Sequence, residues 1–318
     1  MATSFSSTSG ESLSPPPSSQ EDDFGLYTSG QALLPKRHIP APPCGRDYCD
    51  SDAPSSDVPD EVSKLEWCLT HPPRPGSTDP NDTRKITFKA SIRTECECGA
   101  QVLLIDDGLV AKIYDPLYYC FFNRDWPSET IDVTTEADHD YTIEAAAYSA
   151  LRDTKIQVSI MPIYHGSWTA EVLIEVEGQQ RLREIRIILL EHIEGTPMRD
   201  INPFDLTREA RENTMCKVIE AETDLQIAGL EHDDFEPHNI MVIPPSQITS
   251  SEAVESQDAP FEDPDLRVCI IDYALSCVYK TAGRELLKPG YHNPLFRWIV
   301  AGIYCEYGWL PPLREATD

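Results

Sequence analysis

His232-Asp-Asp-Phe-Glu-Pro-His-Asn239 follows a long helical stretch and precedes a short apolar run, and its spacing decides how the chain is read. A His is followed two positions later by Asp234 and five positions after that by Asn239. This pattern sets one carboxylate and one carboxamide oxygen five positions apart on a short loop, groups able to take up a proton and to coordinate a hard cation. Asp233 falls one place off that register and is expected to face solvent. Thirty-three residues beyond Asn239, Val268-Cys-Ile-Ile271 runs into Asp272-Tyr-Ala. An Asp at the end of a buried strand suits a second hard oxygen ligand, so Asn239 and Asp272 are the candidate metal residues.

Working outward, Val110-Ala-Lys-Ile113 places Lys112 inside an apolar strand. An ammonium there is costly unless paired, and it suits gripping phosphate oxygens. Glu144, on a helix expected over 138–151, is the candidate partner. Lys85–Ala90 alternates apolar and polar residues as a half-buried strand does. The apolar runs Gln101–Ile105 and Leu109–Tyr114 flank Asp106-Asp107-Gly108, a hairpin signal. Strands are also expected over 161–168, 172–176 and 186–192. The first half therefore reads as an antiparallel sheet with one inserted helix. The second half opens with a helix over 207–228, stopped by Gly229. Strands follow at 240–243 and 268–271, separated by a Pro-, Ser- and acid-rich loop insertion over 244–265, and a last helix is expected around 294–307.

The order strand Lys, helix Glu, strands, helix, catalytic loop, strand Asp resembles that of the protein-kinase-like superfamily. Ala111-Lys-Ile-Tyr-Asp-Pro116, Glu136-Ala-Asp-His-Asp-Tyr141, Glu144-Ala-Ala-Ala-Tyr148, Tyr164-His-Gly-Ser-Trp168 and Asn293-Pro294 bring the likeness nearest to the small kinase-like proteins of filamentous fungi, beside the aminoglycoside phosphotransferase and choline kinase branch. It covers roughly residues 86–312. The resemblance implies an α+β, bilobal kinase-like fold, with an antiparallel-sheet lobe over about 81–192 and a shortened, mainly helical lobe over about 193–318. It implies ATP and Mg²⁺ between the lobes, with Glu191-His192-Ile193 as a hinge reading the adenine edge. Asp234 would be the base, Lys112 the phosphate clamp, Glu144 its partner, and Gly99 part of the phosphate loop.

Several residues depart from that pattern. Cys96-Glu-Cys-Gly-Ala100 offers only Gly99 where protein kinases carry three glycines, and Glu95 and Glu97 would repel phosphate. Asp272-Tyr-Ala lacks the usual third glycine. Glu236 stands where a Lys touches the γ-phosphate in Ser/Thr kinases. Only 46 residues follow Asp272, too few for the usual peptide platform. Two functions follow: a phosphotransferase acting on a protein or small-molecule hydroxyl, or a pseudokinase serving as an interaction module.

Composition narrows the partners. The chain of 318 residues holds 54 Asp and Glu against 26 Lys and Arg, a formal net charge of −28. Such a surface repels nucleic acid and anionic membranes, so neither is expected as a partner. The ten cysteines show no Cys-x-x-Cys pair, which points to thiols in a reducing compartment. MATSFSSTSGESL lacks the basic start and apolar stretch of a secretory signal, and Trp298–Cys305 is too short to span a bilayer. The cytoplasm is the expected location, with the nucleus also open. Residues 1–80 hold 13 of the 27 prolines and many Ser and Asp, so this stretch is expected to be largely disordered. Phe24-Gly-Leu-Tyr27 and Leu65-Glu-Trp-Cys-Leu69 are its two patches suited to dock on the domain.

Overall fold

Charge buried inside an apolar strand needs a covering helix, and that requirement organises the sheet. In a computed structural model of the chain, residues 25–48, 58–59, 62–122, 129–176, 178–245, 261–286 and 302–311 are described. The elements are β1 (Ala32–Leu33), β2 (Lys36–Ile39), α1 (Lys64–Thr70), β3 (Ser77–Thr83), β4 (Ile86–Arg93), β5 (Gln101–Ile105), β6 (Leu109–Tyr114), α2 (Val133–Ala150), α3 (Lys155–Ser159), β7 (Tyr164–Val176) and β8 (Gln179–Glu191). They continue as β9 (Thr196–Pro197), α4 (Arg208–Ile227), β10 (Leu230–Glu231), β11 (Ile240–Ile243), β12 (Arg267–Ile270), β13 (Cys277–Val278) and α5 (Gly302–Glu306).

Eight strands form one antiparallel sheet in the order β1-β4-β5-β6-β8-β7-β2-β3. β9, β11 and β12 make a second, three-stranded sheet, and β10 pairs with β13. The fold is thus α+β, with one large antiparallel sheet and few helices. β5, read as an apolar run, alternates buried and half-buried residues. At the β5–β6 turn Gly108 adopts φ +70°, and its amide donates to the Ile105 carbonyl at 3.1 Å.

The two faces of β6 serve different cores. Ala111 and Ile113 pack with Phe88, Leu103, Trp168 and Ile187 in one cluster. Tyr114 joins Tyr141, Tyr148, α4 and the second sheet in another. Helix α2 crosses from one to the other: Val133 and Ala137 pack in the first, Tyr141, Ala145 and Tyr148 in the second. Asp132 caps α2, accepting from the Thr134 and Thr135 amides at 3.1 and 3.2 Å, so the helix starts five residues before the expected position. α4 starts at a Thr207 cap and ends before Gly229 at φ +87°, as expected.

The disorder expected of residues 1–80 is corrected over 25–48 and 62–80. β1, β2 and most of β3 add to the large sheet, and α1 packs on it. A few anchors outweigh the polar average. Tyr27 donates to Asp115 at 2.6 Å and Trp67 to Asp132 at 2.8 Å, both side chains being buried. Leu65–Leu69 therefore docks, as does Tyr27, while Phe24 lies outside the described residues. The expected strands at 161–168 and 172–176 are one continuous strand, β7. Of the helix expected at 294–307 only α5 is described; Asn293, Pro294 and most of the 244–265 insertion lie outside the described residues. No helix among the described residues is long and apolar enough to cross a membrane. No disulfide joins the described cysteines.

Candidate functional site

Lys112 sits at the centre of β6, opposite Val102 on β5 and Ile188 on β8. It is 5% exposed. Its ammonium donates to Glu144 Oε2 at 2.5 Å and to Asp272 Oδ1 at 2.6 Å. Strand, helix and loop, separated by up to 160 positions, thus meet on one nitrogen. Tyr114, two residues along the same strand face, donates to the same Glu144 oxygen at 2.5 Å. Glu144 Oε1 is buried with no hydrogen-bond partner among the described residues.

The electrostatics separate these groups. Burial pulls the Lys112 pKa down, but the charges of Asp272 and Glu144 outweigh it and leave the ammonium pKa raised. Burial pushes Asp272 up, yet the Lys112 charge and hydrogen bond, with help from the Arg93 charge, hold its carboxyl well below the usual range. Glu144 moves the other way: burial raises its pKa, and Asp272 adds to the rise against Lys112. Two carboxylates share one ammonium, and the more open of them keeps the firm negative charge.

Asp272 lies just past β12 with φ +64°, a left-handed conformation that costs a non-glycine residue about 1 kcal/mol. His232 helps to hold it there. Its ring is buried, sits against Tyr273 at 4.8 Å between centroids, and its Nε2 meets the Ile271 carbonyl at 3.0 Å. That geometry makes Nε2–H the donor. Burial lowers the His232 pKa, which suits a neutral ring.

The 232–239 loop folds back on itself. Asn239 Nδ2 donates to the Asp234 carbonyl at 3.0 Å and to Asp234 Oδ2 at 2.8 Å. The Asn239 carbonyl accepts from the Ile271 amide at 2.9 Å, so the two candidate metal residues stand side by side at the ends of β11 and β12. Their donor set, one ionised carboxylate and one carboxamide in a cleft wall, fits a hard divalent cation. Asp233 is exposed, as expected, with φ +56°. His238 lies 3.7 Å from Asp234 and 3.4 Å from Glu236. Glu236 does not line the cleft; it leans on His238.

Between the large sheet and these loops runs a cleft of about 780 Å³. Lys112, Glu144, Asn239 and Asp272 line it, together with Glu191 and Ile193. Its volume falls within the range of small-molecule sites, roughly 300–1,000 Å³. Asp234 does not line it and is joined to the wall through its hydrogen bonds with Asn239. The Glu191 amide and carboxylate are both engaged with Ile163, at 2.9 and 3.0 Å, whereas the His192 and Ile193 amides make no hydrogen bond among the described residues.

Gly99 is a correction. It does not line the cleft, and its amide donates to the Tyr118 carbonyl at 3.1 Å, so that N–H is not available to a phosphate. Ser91–Glu95 at the end of β4 lines the cleft instead. Sequence reasoning also missed Arg93, whose guanidinium is 3.8 Å from Asp272 Oδ2, and Arg46. Arg46 bridges from the N-terminal segment to the Ala274 carbonyl at 2.5 Å and to Asp140 on α2 at 2.7 Å. Tyr48 receives the Val278 amide at 2.7 Å. The segment 44–48 thus straps the helix carrying Glu144 to the chain that follows Asp272. No protein-family model matches this chain, and no curated protein matches it in sequence.

Proposed function

We propose that the chain is a bilobal, kinase-like phosphotransferase that uses ATP and Mg²⁺ to phosphorylate a hydroxyl of a protein or small molecule. The observation that carries this reading is the meeting of Lys112 with Glu144 and Asp272 at 2.5 and 2.6 Å on the wall of the cleft. A buried ammonium pinned by a helix carboxylate is oriented, and orientation with fixed charge is most of what phosphoryl transfer asks of a protein.

The geometry supports the following roles. The adenine edge is read by the backbone at Ile193. Lys112 neutralises phosphate oxygens, and Glu144 with Tyr114 fixes its direction. Asn239 and Asp272 would hold Mg²⁺, which supplies charge neutralisation on the polyphosphate when bound. Asp234, held by the Asn239 amide, accepts the proton of the acceptor hydroxyl.

A second reading, a pseudokinase that acts as an interaction module without catalysis, is favoured by the engagement of the Gly99 amide with Tyr118. Only the first reading requires nucleotide binding. Titrating purified protein with millimolar ATP should raise its melting temperature, and chelating Mg²⁺ should remove most of the rise. No shift at millimolar nucleotide refutes the first reading and favours the second. A shift without any phosphate transfer also selects the second.

A further inference from the structure

We infer that Arg93 is a phosphate-binding residue of the cleft, standing with Lys112 where the amides of a glycine turn would otherwise serve. The inference rests on the nucleotide reading above. In the sheet register Arg93 pairs with Val102, and Val102 pairs with Lys112. Directly opposed residues on neighbouring antiparallel strands project to the same face. The two cations therefore rise from one row of the sheet, two strands apart, into one cleft.

They also converge on one carboxylate. Lys112 takes Asp272 Oδ1 at 2.6 Å, and the Arg93 guanidinium lies 3.8 Å from Oδ2. The two attachments differ in kind. The Lys112–Asp272 pair is a hydrogen-bonded contact with side chains 6% and 26% exposed, whereas the Arg93 side chain is 43% exposed and its distance exceeds that of a hydrogen bond. A screened pair of that length holds weakly. The same Nη2 donates a long hydrogen bond to the Ala100 carbonyl at 3.4 Å; Nε and Nη1 make none among the described residues, and donors on one edge of the planar guanidinium match phosphate oxygens.

Its base is fixed. The buried Gln101 side chain donates to the Glu95 and Gly99 carbonyls at 3.1 and 3.0 Å, closing the turn after Arg93 from within. With the Gly99 amide committed to Tyr118, Arg93 is the cationic group of this turn that faces the cleft. It offsets Glu95, which lines the same wall; Glu97 does not line it.

Calorimetric titration of the full chain with MgATP, MgADP and adenosine tests this. Arg93→Met should weaken MgATP and MgADP by roughly tenfold, as for the loss of one charge-assisted contact, and adenosine by less than about twofold. Arg93→Lys should keep part of the affinity. MgATP binding by Arg93→Met equal to wild type overturns the inference while the nucleotide reading stands. Equal weakening of adenosine and MgATP also overturns it, because the residue would then act through the fold. Wild-type protein that binds neither MgATP nor adenosine overturns both.

Discussion

Lys112, Glu144 and Tyr114 are 5%, 0% and 1% exposed, while the side chains of Asp234, Glu236 and His238 are 28%, 41% and 36% exposed. Both groups carry charge, the first in the cleft wall and the second beside it, but they obey different physics. In the buried group the interactions are short and little screened, and each partner's loss leaves a charge stranded. At the rim, water and salt screen the contacts, and the side chains keep their freedom. On the phosphotransferase reading proposed above, the difference would assign rigidity to the phosphate end of the cleft and adaptability to the acceptor end.

The largest effect should come from breaking the buried group. Lys112→Met leaves Glu144 without its ammonium and Asp272 with only the more distant Arg93, and should lower unfolding free energy by about 4 kcal/mol at neutral pH. Urea unfolding measures it. The loss should shrink on acidification, because Glu144, with its raised pKa, takes up a proton first.

Asp138, on the same helix as Glu144, sharpens the comparison: it is buried and makes no hydrogen bond to a cationic side chain. Burial pushes its pKa from 3.8 up to about 6, against the Arg74 amide, which donates at 2.6 Å, and the Arg186 charge. A carboxyl raised in this way contributes stability below its ordinary pKa and loses it as pH rises through about 6. Asp138→Asn should therefore gain about 3 kcal/mol relative to wild type between pH 4 and pH 7. Parallel unfolding curves across that range would contradict this.

Arg46 is intermediate, its side chain being 27% exposed. Arg46→Ala should destabilise by about 2 kcal/mol, the scale of hydrogen bonds that involve a charged group. At the rim, His238→Ala should change stability by less than about 0.5 kcal/mol. A larger loss there would show that the rim is as tightly built as the buried group.

Legibility in the sequence follows the same division. Lys112, Glu144 and Asp272 could be found because charge in an apolar strand or at its end is conspicuous and demands partners. The sheet around them was legible through alternation and the Asp-Gly turn. The N-terminal strands were not, because Tyr27 and Trp67 are isolated anchors in a Pro- and Ser-rich stretch whose average reads as unfolded. Gly99 was misjudged because a glycine advertises backbone freedom but not where its amide points. Arg93 was hidden by β4 itself, whose register shifts twice, between Phe88 and Ala90 and between Ser91 and Arg93. The rows of side chains across this sheet depend on those shifts, which the alternation of one strand does not reveal.

The most direct test of the phosphotransferase account is ATP turnover by the wild-type chain beside Asp234→Asn and Asp272→Asn, each at saturating Mg²⁺. The account predicts turnover by the wild type and a fall of roughly 100-fold or more in both variants, the scale of losing a proton acceptor or a metal ligand. Equal rates in all three proteins would contradict it.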